Sequence, residues 1–186
     1  ANLSANSASA QAIYCGGALE IDASVTAKNI SVYAENRNGA YGQAYYGPVY
    51  AIGNISMDEN ARLTVDANIG AYYGVVYSGG SFTANKATLT VNGNNLSNTQ
   101  YQCGVTANSV TLTDSTVSVN IGYSSDYANY AKAVSATSAS LNCGTYNTDV
   151  DASFVAEGYV ALTGQQGGKP SVTIVKNEKV TYDAAL

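Results

Sequence analysis

The sequence predicts an all-β solenoid, a right-handed parallel β-helix of about six coils with a C-terminal capping segment. Three observations predict it. A short phrase recurs along the chain, a second alternating strand follows the first four copies, and asparagine or aspartate stands near the expected corners. A period of about 20 to 40 residues with recurring strand phrases is typical of solenoids.

The recurring phrase is eight or nine residues long and has six copies. They read IYCGGALEI (13–21), VYAIGNISM (49–57), VYSGGSFTA (76–84), VTANSVTL (105–112), VSATSASL (134–141) and VAEGYVAL (155–162). Apolar and small polar residues alternate within each copy, and this period of two predicts a strand with one inward face.

The second strand of each coil reads SVTA (24–27), RLTV (62–65), TLTV (88–91) or TVSV (116–119). Aligning the copies predicts three files of inward side chains. The first file is Leu19, Ile55, Phe82, Val110, Ala139 and Val160; the second is Ile21, Met57, Ala84, Leu112, Leu141 and Leu162; the third is Val25, Leu63, Leu89 and Val117.

Polar turn-forming residues follow these strands, as corners require. Asp22, Asp58 and Asn85 follow the first strands, and Asp66, Asn92 and Asn120 follow the second strands. We expect asparagine side chains to hydrogen-bond from one coil to the next. The tail departs from the pattern, so we divide the chain into a β-helix (1–163) and a C-terminal cap or hairpin (164–186). A two-sheet sandwich is the alternative architecture.

The runs YGVVYSGGSFTANKATLTVNGN (73–94) and CGVTANSVTLTDSTVSVN (103–120) resemble the repeats of bacterial cell-surface right-handed β-helix proteins. That group includes adhesin-like and carbohydrate-binding proteins, and the resemblance covers about residues 12–162. It implies a secreted or cell-surface location and an extracellular partner. It transfers no catalytic residue, because this fold carries enzymes, adhesins and spacers alike.

Composition excludes several classes of function. Only 11% of residues are charged and the net charge is −5, with no basic run that could form a nucleic-acid-binding surface. No apolar run is long enough for a membrane-spanning helix. The chain has no histidine, so a general base titrating near neutral pH is missing. We expect no enzyme activity, no cofactor and no metal site.

The 16 tyrosines are the strongest functional lead, and the chain has no tryptophan. Four of them stand four residues before a phrase, namely Tyr45, Tyr72, Tyr101 and Tyr130, and Tyr46, Tyr73 and Tyr127 lie beside them. Equivalent positions in successive coils predict one tyrosine-bearing side. Exposed rings there could stack on sugar rings, or the same rings could stack on one another and stiffen the loops.

The remaining candidates favour ordinary structural roles. Pairs such as Thr88/Thr90 and Thr116/Ser118 predict a hydroxyl-rich face similar to the ice-binding faces of some β-solenoids, although Arg62 interrupts it. Calcium could use Asp22 with Asp58, or Asp149 with Asp151. Lys132 is the best basic candidate for catalysis, and Cys15 fits a file of small buried residues.

We therefore expect a non-enzymatic adhesion or carbohydrate-binding module that contacts an extracellular polysaccharide, or a host or cell-surface glycan or protein. A structural stalk of a larger surface protein is the alternative. A polysaccharide lyase or hydrolase and an ice-binding protein are further alternatives.

Overall fold

The computed structural model describes residues 2–7, 11–29, 44–67, 71–93, 102–123, 125–166 and 169–178. This part of the chain is nearly all β, with two short 3₁₀ helices at Ser125–Tyr130 and Ala152–Phe154. The strands are β1 (Asn2–Ser7), β2 (Ile13–Cys15), β3 (Leu19–Ile21), β4 (Ser24–Asn29), β5 (Ala44–Ala51), β6 (Ile55–Met57), β7 (Arg62–Ala67), β8 (Ala71–Ser78), β9 (Ser81–Asn85), β10 (Thr88–Gly93), β11 (Cys103–Thr106), β12 (Ser109–Thr113), β13 (Thr116–Asn120), β14 (Lys132–Ser135), β15 (Ser138–Leu141), β16 (Thr145–Tyr146), β17 (Tyr159–Gln166) and β18 (Lys169–Lys176). Neither helix, at six and three residues, approaches the length of a bilayer-spanning segment.

The strands form three sheets. Sheet A has the order β1-β4-β7-β10-β13-β16-β18-β17, sheet B has the order β14-β11-β8-β5-β2, and sheet C has the order β15-β12-β9-β6-β3. Each repeat, such as β5–β7, places one strand in sheet B, the next in sheet C and the third in sheet A. Pairing between repeats is parallel in all three sheets, which excludes the antiparallel two-sheet sandwich.

The three predicted files of inward residues are confirmed over the first five copies of the phrase. In sheet C, Ile55 pairs with Phe82 and Phe82 with Val110, and in sheet A, Leu63 pairs with Leu89 and Leu89 with Val117. The buried members form one core, and they are Ile21, Ile55, Met57, Leu63, Phe82, Ala84, Leu89, Val110, Leu112, Val117 and Leu141. The alternation in the sequence therefore places the core correctly.

Hydrogen bonds between polar side chains join neighbouring repeats. The Asn92 Nδ2 donates to Asp66 Oδ1 over 2.9 Å, and Asn142 Nδ2 donates to Asp114 Oδ1 over 2.9 Å. The first pair lies inside strands β7 and β10 rather than at a corner. At the turns from sheet C to sheet A, Asn60, Lys86 and Asp114 adopt positive φ angles of 69°, 50° and 47°.

The sixth copy of the phrase does not continue the repeat, so the prediction of Val160 and Leu162 as inward core residues is wrong. Strand β17 pairs antiparallel with β18, and β18 pairs antiparallel with β16 at the edge of sheet A. Leu162 is 55% exposed as a result. The hairpin also spans the predicted domain boundary at residue 163, and that boundary stays a prediction.

The last repeat is covered differently on each sheet. The hairpin of β17 and β18 covers sheet A, and Ala156 N donates to Leu141 O over 3.0 Å at sheet C. On sheet B, Ala133 N donates to Thr148 Oγ1 over 2.8 Å. These contacts satisfy backbone groups that an open parallel sheet edge would offer to another chain.

Candidate functional site

The outer face of sheet B carries one row of register-aligned residues. Tyr14 pairs with Tyr50, Tyr50 with Tyr77, Tyr77 with Thr106, and Thr106 with Ser135. The sheet spacing places successive members about 4.8 Å apart. The row therefore holds three tyrosines and then two short hydroxyl residues, and these two parts have different surfaces.

The three tyrosines of the row stack on one another, and we call them the tyrosine ladder. The Tyr14 and Tyr50 ring centroids are 5.4 Å apart with an interplanar angle of 13°, and those of Tyr50 and Tyr77 are 5.2 Å apart at 11°. A centroid distance above the strand spacing indicates offset stacking, the arrangement that aromatic pairs prefer. Because the rings of the ladder face each other, its outer surface consists largely of ring edges and hydroxyls.

A cavity of about 360 Å³ begins where the ladder ends. Its lining residues are Tyr73, Cys103, Thr106, Asn129, Tyr130, Lys132 and Ser135. Thr106 and Ser135 belong to the row that carries rings in the earlier repeats, so their short side chains leave this space open.

Two tyrosines from different elements stand at this cavity. Tyr73 lies in β8, and Tyr130 is the last residue of the 3₁₀ helix Ser125–Tyr130. Tyr73 is 44% exposed and Tyr130 is 59% exposed. Two partly exposed rings share this cavity with hydroxyl, amide and ammonium side chains, so a hydroxylated ligand can make both apolar and hydrogen-bonding contacts here.

The backbone beside Tyr73 is held close to the next repeat. The Thr106 hydroxyl donates to the carbonyl of Tyr73. A Cβ added at Gly74 would lie 2.9 Å from Thr106 Oγ1 and 2.9 Å from the Val76 carbonyl oxygen. A side chain at position 74 would therefore crowd the Thr106 side chain of the next repeat and the backbone of its own strand, which favours glycine there.

The segment that carries Tyr130 is fixed by hydrogen bonds on both sides. Ala131 N donates to Ala128 O over 3.3 Å, and Lys132 N donates to Gln102 O over 3.2 Å. The Gln102 side chain is buried, and its Oε1 accepts from Gly122 N over 3.3 Å. Tyr130 thus stands between a closed helical turn and the first residue of β14, which restricts its backbone before any ligand arrives.

Lys132 is the cationic side chain of the cavity, and it pairs in register with Cys103 on β11. Burial raises the pKa of the Cys103 thiol, and the nearby Lys132 charge offsets only part of that effect. The thiol is therefore protonated at neutral pH and is a poor nucleophile. Hydroxyl, amide and ammonium groups remain as the polar contacts.

The structure brings together two of the seven predicted tyrosines, Tyr73 and Tyr130. Tyr45, Tyr46, Tyr72 and Tyr127 have only their backbone within the description, and Tyr101 lies outside the described residues. The prediction for those five positions stays a prediction.

The tyrosine ladder was not predicted from the sequence. Its signal was present, because Tyr14, Tyr50 and Tyr77 are the second residue of the first three phrases. Thr106 and Ser135 occupy the same position in the next two phrases, so the change from ring to hydroxyl was also readable. Cys103 and Asn129 were not predictable as lining residues, because neither belongs to the repeated phrase.

The carboxylates considered for calcium are exposed, and that of Asp151 hydrogen-bonds within its own turn. Asp151 accepts from Ser153 N over 2.9 Å and from Ser153 Oγ over 2.7 Å, and these bonds lower the pKa of its carboxyl. Asp22, Asp58 and Asp149 are exposed. Within the described ranges, no group of three histidine, cysteine or acidic residues is placed to hold a metal ion.

Cys15 lies where the sequence placed it, in register with Ala51, which in turn pairs with Ser78. Both partners are buried, and Cys15 is half-buried. All three cysteines are free thiols. This file is part of the packing beneath sheet B rather than a reactive site.

The outer face of sheet A carries a second long row, composed of hydroxyl residues. Its members pair in sequence across the sheet, and they are Ser4, Thr26, Thr64, Thr90, Ser118, Thr145 and Thr173. A cavity of about 350 Å³ near Ser118 and Thr145 is bordered by Lys169, whose Nζ lies 4.7 Å from the Tyr123 ring centroid. This cation already has an aromatic partner.

Comparisons with models of protein families, with curated protein sequences and with solved structures find nothing that matches this chain. The cavity at the end of the tyrosine ladder is therefore the feature from which a function is argued.

Proposed function

We propose that this chain is a non-enzymatic carbohydrate-binding or adhesion module of a secreted or cell-surface bacterial protein, and that the cavity at the end of the tyrosine ladder receives the sugar. The observation that carries this proposal is the pair of partly exposed rings, Tyr73 and Tyr130, that line one cavity together with hydroxyl and amide side chains.

A sugar ring needs two kinds of contact. Its C–H faces pack on an aromatic ring, and its hydroxyls need hydrogen-bond donors and acceptors at the edge. The cavity offers both, because Thr106, Ser135 and Asn129 line it together with the two tyrosines. Its volume of about 360 Å³ lies near the lower end of the range for small-ligand pockets, so one or two sugar units are the expected fit.

The scaffold that supports this site is proposed to be a right-handed parallel β-helix. Five repeats each contribute one strand to three parallel sheets, which favours a solenoid. Right-handed connections between parallel strands are the strong rule. Such a scaffold holds the β8 backbone that carries Tyr73 and the start of β14, two residues after Tyr130, and preorganisation of this kind lowers the entropic cost of binding.

A stalk that spaces another domain from the cell surface is the second candidate, and the tyrosine ladder favours it. Rings stacked along three successive repeats stiffen a rod and consume ring faces that a ligand would need. The two functions are compatible in one rod, but only binding requires the open cavity.

The test is a polysaccharide-binding screen with three chains: the wild type, the double variant Tyr73→Ala/Tyr130→Ala, and the control Tyr14→Ala. Tyr14 is 63% exposed on the same sheet face and does not line the cavity. Circular dichroism of each variant establishes that it is folded before binding is compared.

We expect wild-type binding to be lost in the double variant and to survive in Tyr14→Ala. Losing two sugar–aromatic stacking contacts of about 1 kcal/mol each corresponds to a fall in affinity of roughly thirtyfold. Binding that is equal in all three chains would place the site elsewhere. A wild type that binds nothing in the panel would favour the stalk.

A further inference from the structure

We infer that the sugar bound in the cavity is anionic, carrying a carboxylate or sulfate that pairs with Lys132. This inference rests on the proposed function, since it names the class of glycan that the same cavity selects. It starts from the charge balance among the lining residues.

The cavity carries a positive charge and no negative one. Lys132 is exposed and lines it together with neutral tyrosine, threonine, serine and asparagine side chains. The Cys103 thiol is also neutral at physiological pH, because burial raises its pKa. A neutral sugar would leave the ammonium without a charged contact, whereas an acidic sugar would pair with it.

This charge is unusual for the molecule. The chain carries a net charge of −5, with 8 basic and 13 acidic residues. Lys86 has a carboxylate partner, with its Nζ 3.8 Å from Glu59 Oε1. In the part of the chain that the structure describes, no carboxylate forms an ion pair with the Lys132 ammonium. The Ser153 hydrogen bonds and, less strongly, the Lys132 charge lower the pKa of the exposed Asp151 carboxyl, but Asp151 does not line the cavity. The Lys132 ammonium can therefore still pair directly with an anionic ligand in the cavity.

The spacing along β14 also suits an acidic sugar. Lys132 and Ser135 are the first and last residues of this strand, so their Cα atoms lie about 10 Å apart. That length matches one to two sugar units. A ring stacked between Tyr73 and Tyr130 could then place its acidic group at Lys132 and its hydroxyls near Ser135 and Thr106.

The experiment compares two pairs of polymers that differ only in charge. Polygalacturonate is compared with its methyl ester, and dextran sulfate with dextran. The first pair tests for recognition of a carboxylate, and the second pair tests for recognition of a sulfate. The proteins are the wild type, Lys132→Gln, Lys132→Arg, and Lys86→Gln as a control that changes net charge equally. Lys86 is exposed and lies on a different corner of the molecule.

We expect the wild type to bind at least one charged polymer and to bind its uncharged counterpart about tenfold more weakly, as loss of a charge-assisted contact predicts. Lys132→Gln should lose the same factor, Lys132→Arg should retain most of the affinity, and Lys86→Gln should match the wild type. Raising salt from about 0.05 M to about 0.5 M should weaken binding of the charged form.

Three other results overturn the inference. If uncharged polymers bind as well as charged ones and Lys132→Gln has no effect, the glycan is neutral, while dependence on Tyr73 and Tyr130 would still support the proposed function. If Lys86→Gln weakens binding as much as Lys132→Gln does, the charge effect is nonspecific. A wild type that binds neither these polymers nor any glycan of the wider panel rejects the proposed function together with this inference.

Discussion

The outer face of sheet B has two halves that share one strand register and differ in what fills it. In the first half, Tyr14, Tyr50 and Tyr77 cover each other's rings. In the second half, Thr106 and Ser135 continue the same row, and a cavity of about 360 Å³ lies above them. The row pairs in parallel register in both halves, so the difference within the row comes from its side chains, and the 3₁₀ helix Ser125–Tyr130 adds Asn129 and Tyr130 beside the second half.

The comparison shows how a repeated scaffold acquires a local site. Parallel strands about 4.8 Å apart bring identical aromatic residues into stacking contact, which closes the surface. A change to short side chains at the same register removes the rings and opens a space. Tyr73 and Tyr130, which lie outside the row, then become the walls of that space.

The largest expected effect comes from the core that both halves share. Leu89 is fully buried and pairs with Leu63 and Val117 in adjacent strands. Leu89→Ala removes packed methyl groups and leaves a void, so we expect the free energy of unfolding to fall by about 2–5 kcal/mol. Urea denaturation followed by circular dichroism measures this loss.

The neighbouring Thr90→Ala is the matched control, because Thr90 alternates with Leu89 and points outward. It should change the free energy of unfolding by less than about 0.5 kcal/mol. If Leu89→Ala also costs less than about half a kcal/mol, the inward phase of β10 is wrong.

The ladder half is tested by removing its central ring. Tyr50 stacks on both Tyr14 and Tyr77, and each aromatic pair is worth about 0.5–1.5 kcal/mol. Tyr50→Ala should therefore cost about 1–3 kcal/mol of stability, and Tyr14→Ala, which breaks one stack, about half as much. Tyr50→Phe keeps both stacks and serves as the control. Equal losses from Tyr14→Ala and Tyr50→Ala would show that the stacking itself contributes little.

These two halves also mark how far the sequence alone could predict the structure. Alternation placed Leu63, Leu89 and Val117 correctly because a period of two has only two possible phases and the repeat fixes one of them. The same alternation gave a wrong prediction of inward core residues at Val160 and Leu162, because alternation does not distinguish a parallel strand from a strand in an antiparallel hairpin. Strand existence was predictable there, and strand direction was not.

The candidate site was predictable only in part for a related reason. Tyr130 was found by its position four residues before a phrase and Tyr73 as the neighbour of Tyr72, and both line the same cavity. Asn129 lies in a 3₁₀ helix between β13 and β14, outside the repeated phrase, so no alignment of phrases points to it. The cavity depends on the absence of rings at Thr106 and Ser135; the sequence shows this change of residue type, but that it leaves a cavity beside Tyr73 and Tyr130 is visible only in the structure.

The cavity half is tested by putting a ring back. Ser135→Tyr places a large side chain at the cavity in the row that the ladder occupies in earlier repeats. Glycan binding should weaken by about tenfold, or roughly 1.4 kcal/mol, because the ring occupies the ligand's space. Ser138→Tyr makes the same change at an exposed position of β15, in sheet C and away from the cavity. This control variant should bind glycan as strongly as the wild type. Undiminished binding by Ser135→Tyr would mean that the ligand does not enter here.

The smallest effect is expected on sheet A, whose outer face has a register-aligned row without rings. Thr90 pairs with Thr64 on one side and Ser118 on the other, and all three hydroxyls face away from the core. Thr90→Tyr puts a residue with high strand propensity on that face, so stability should change by less than about 0.5 kcal/mol and glycan binding should not change.

Ice-crystal growth in the presence of the wild type should also equal that in buffer alone. If the wild type instead shapes ice and Thr90→Tyr abolishes the effect, the regular hydroxyl row is the functional surface, and the cavity on sheet B is a by-product of where the ladder stops.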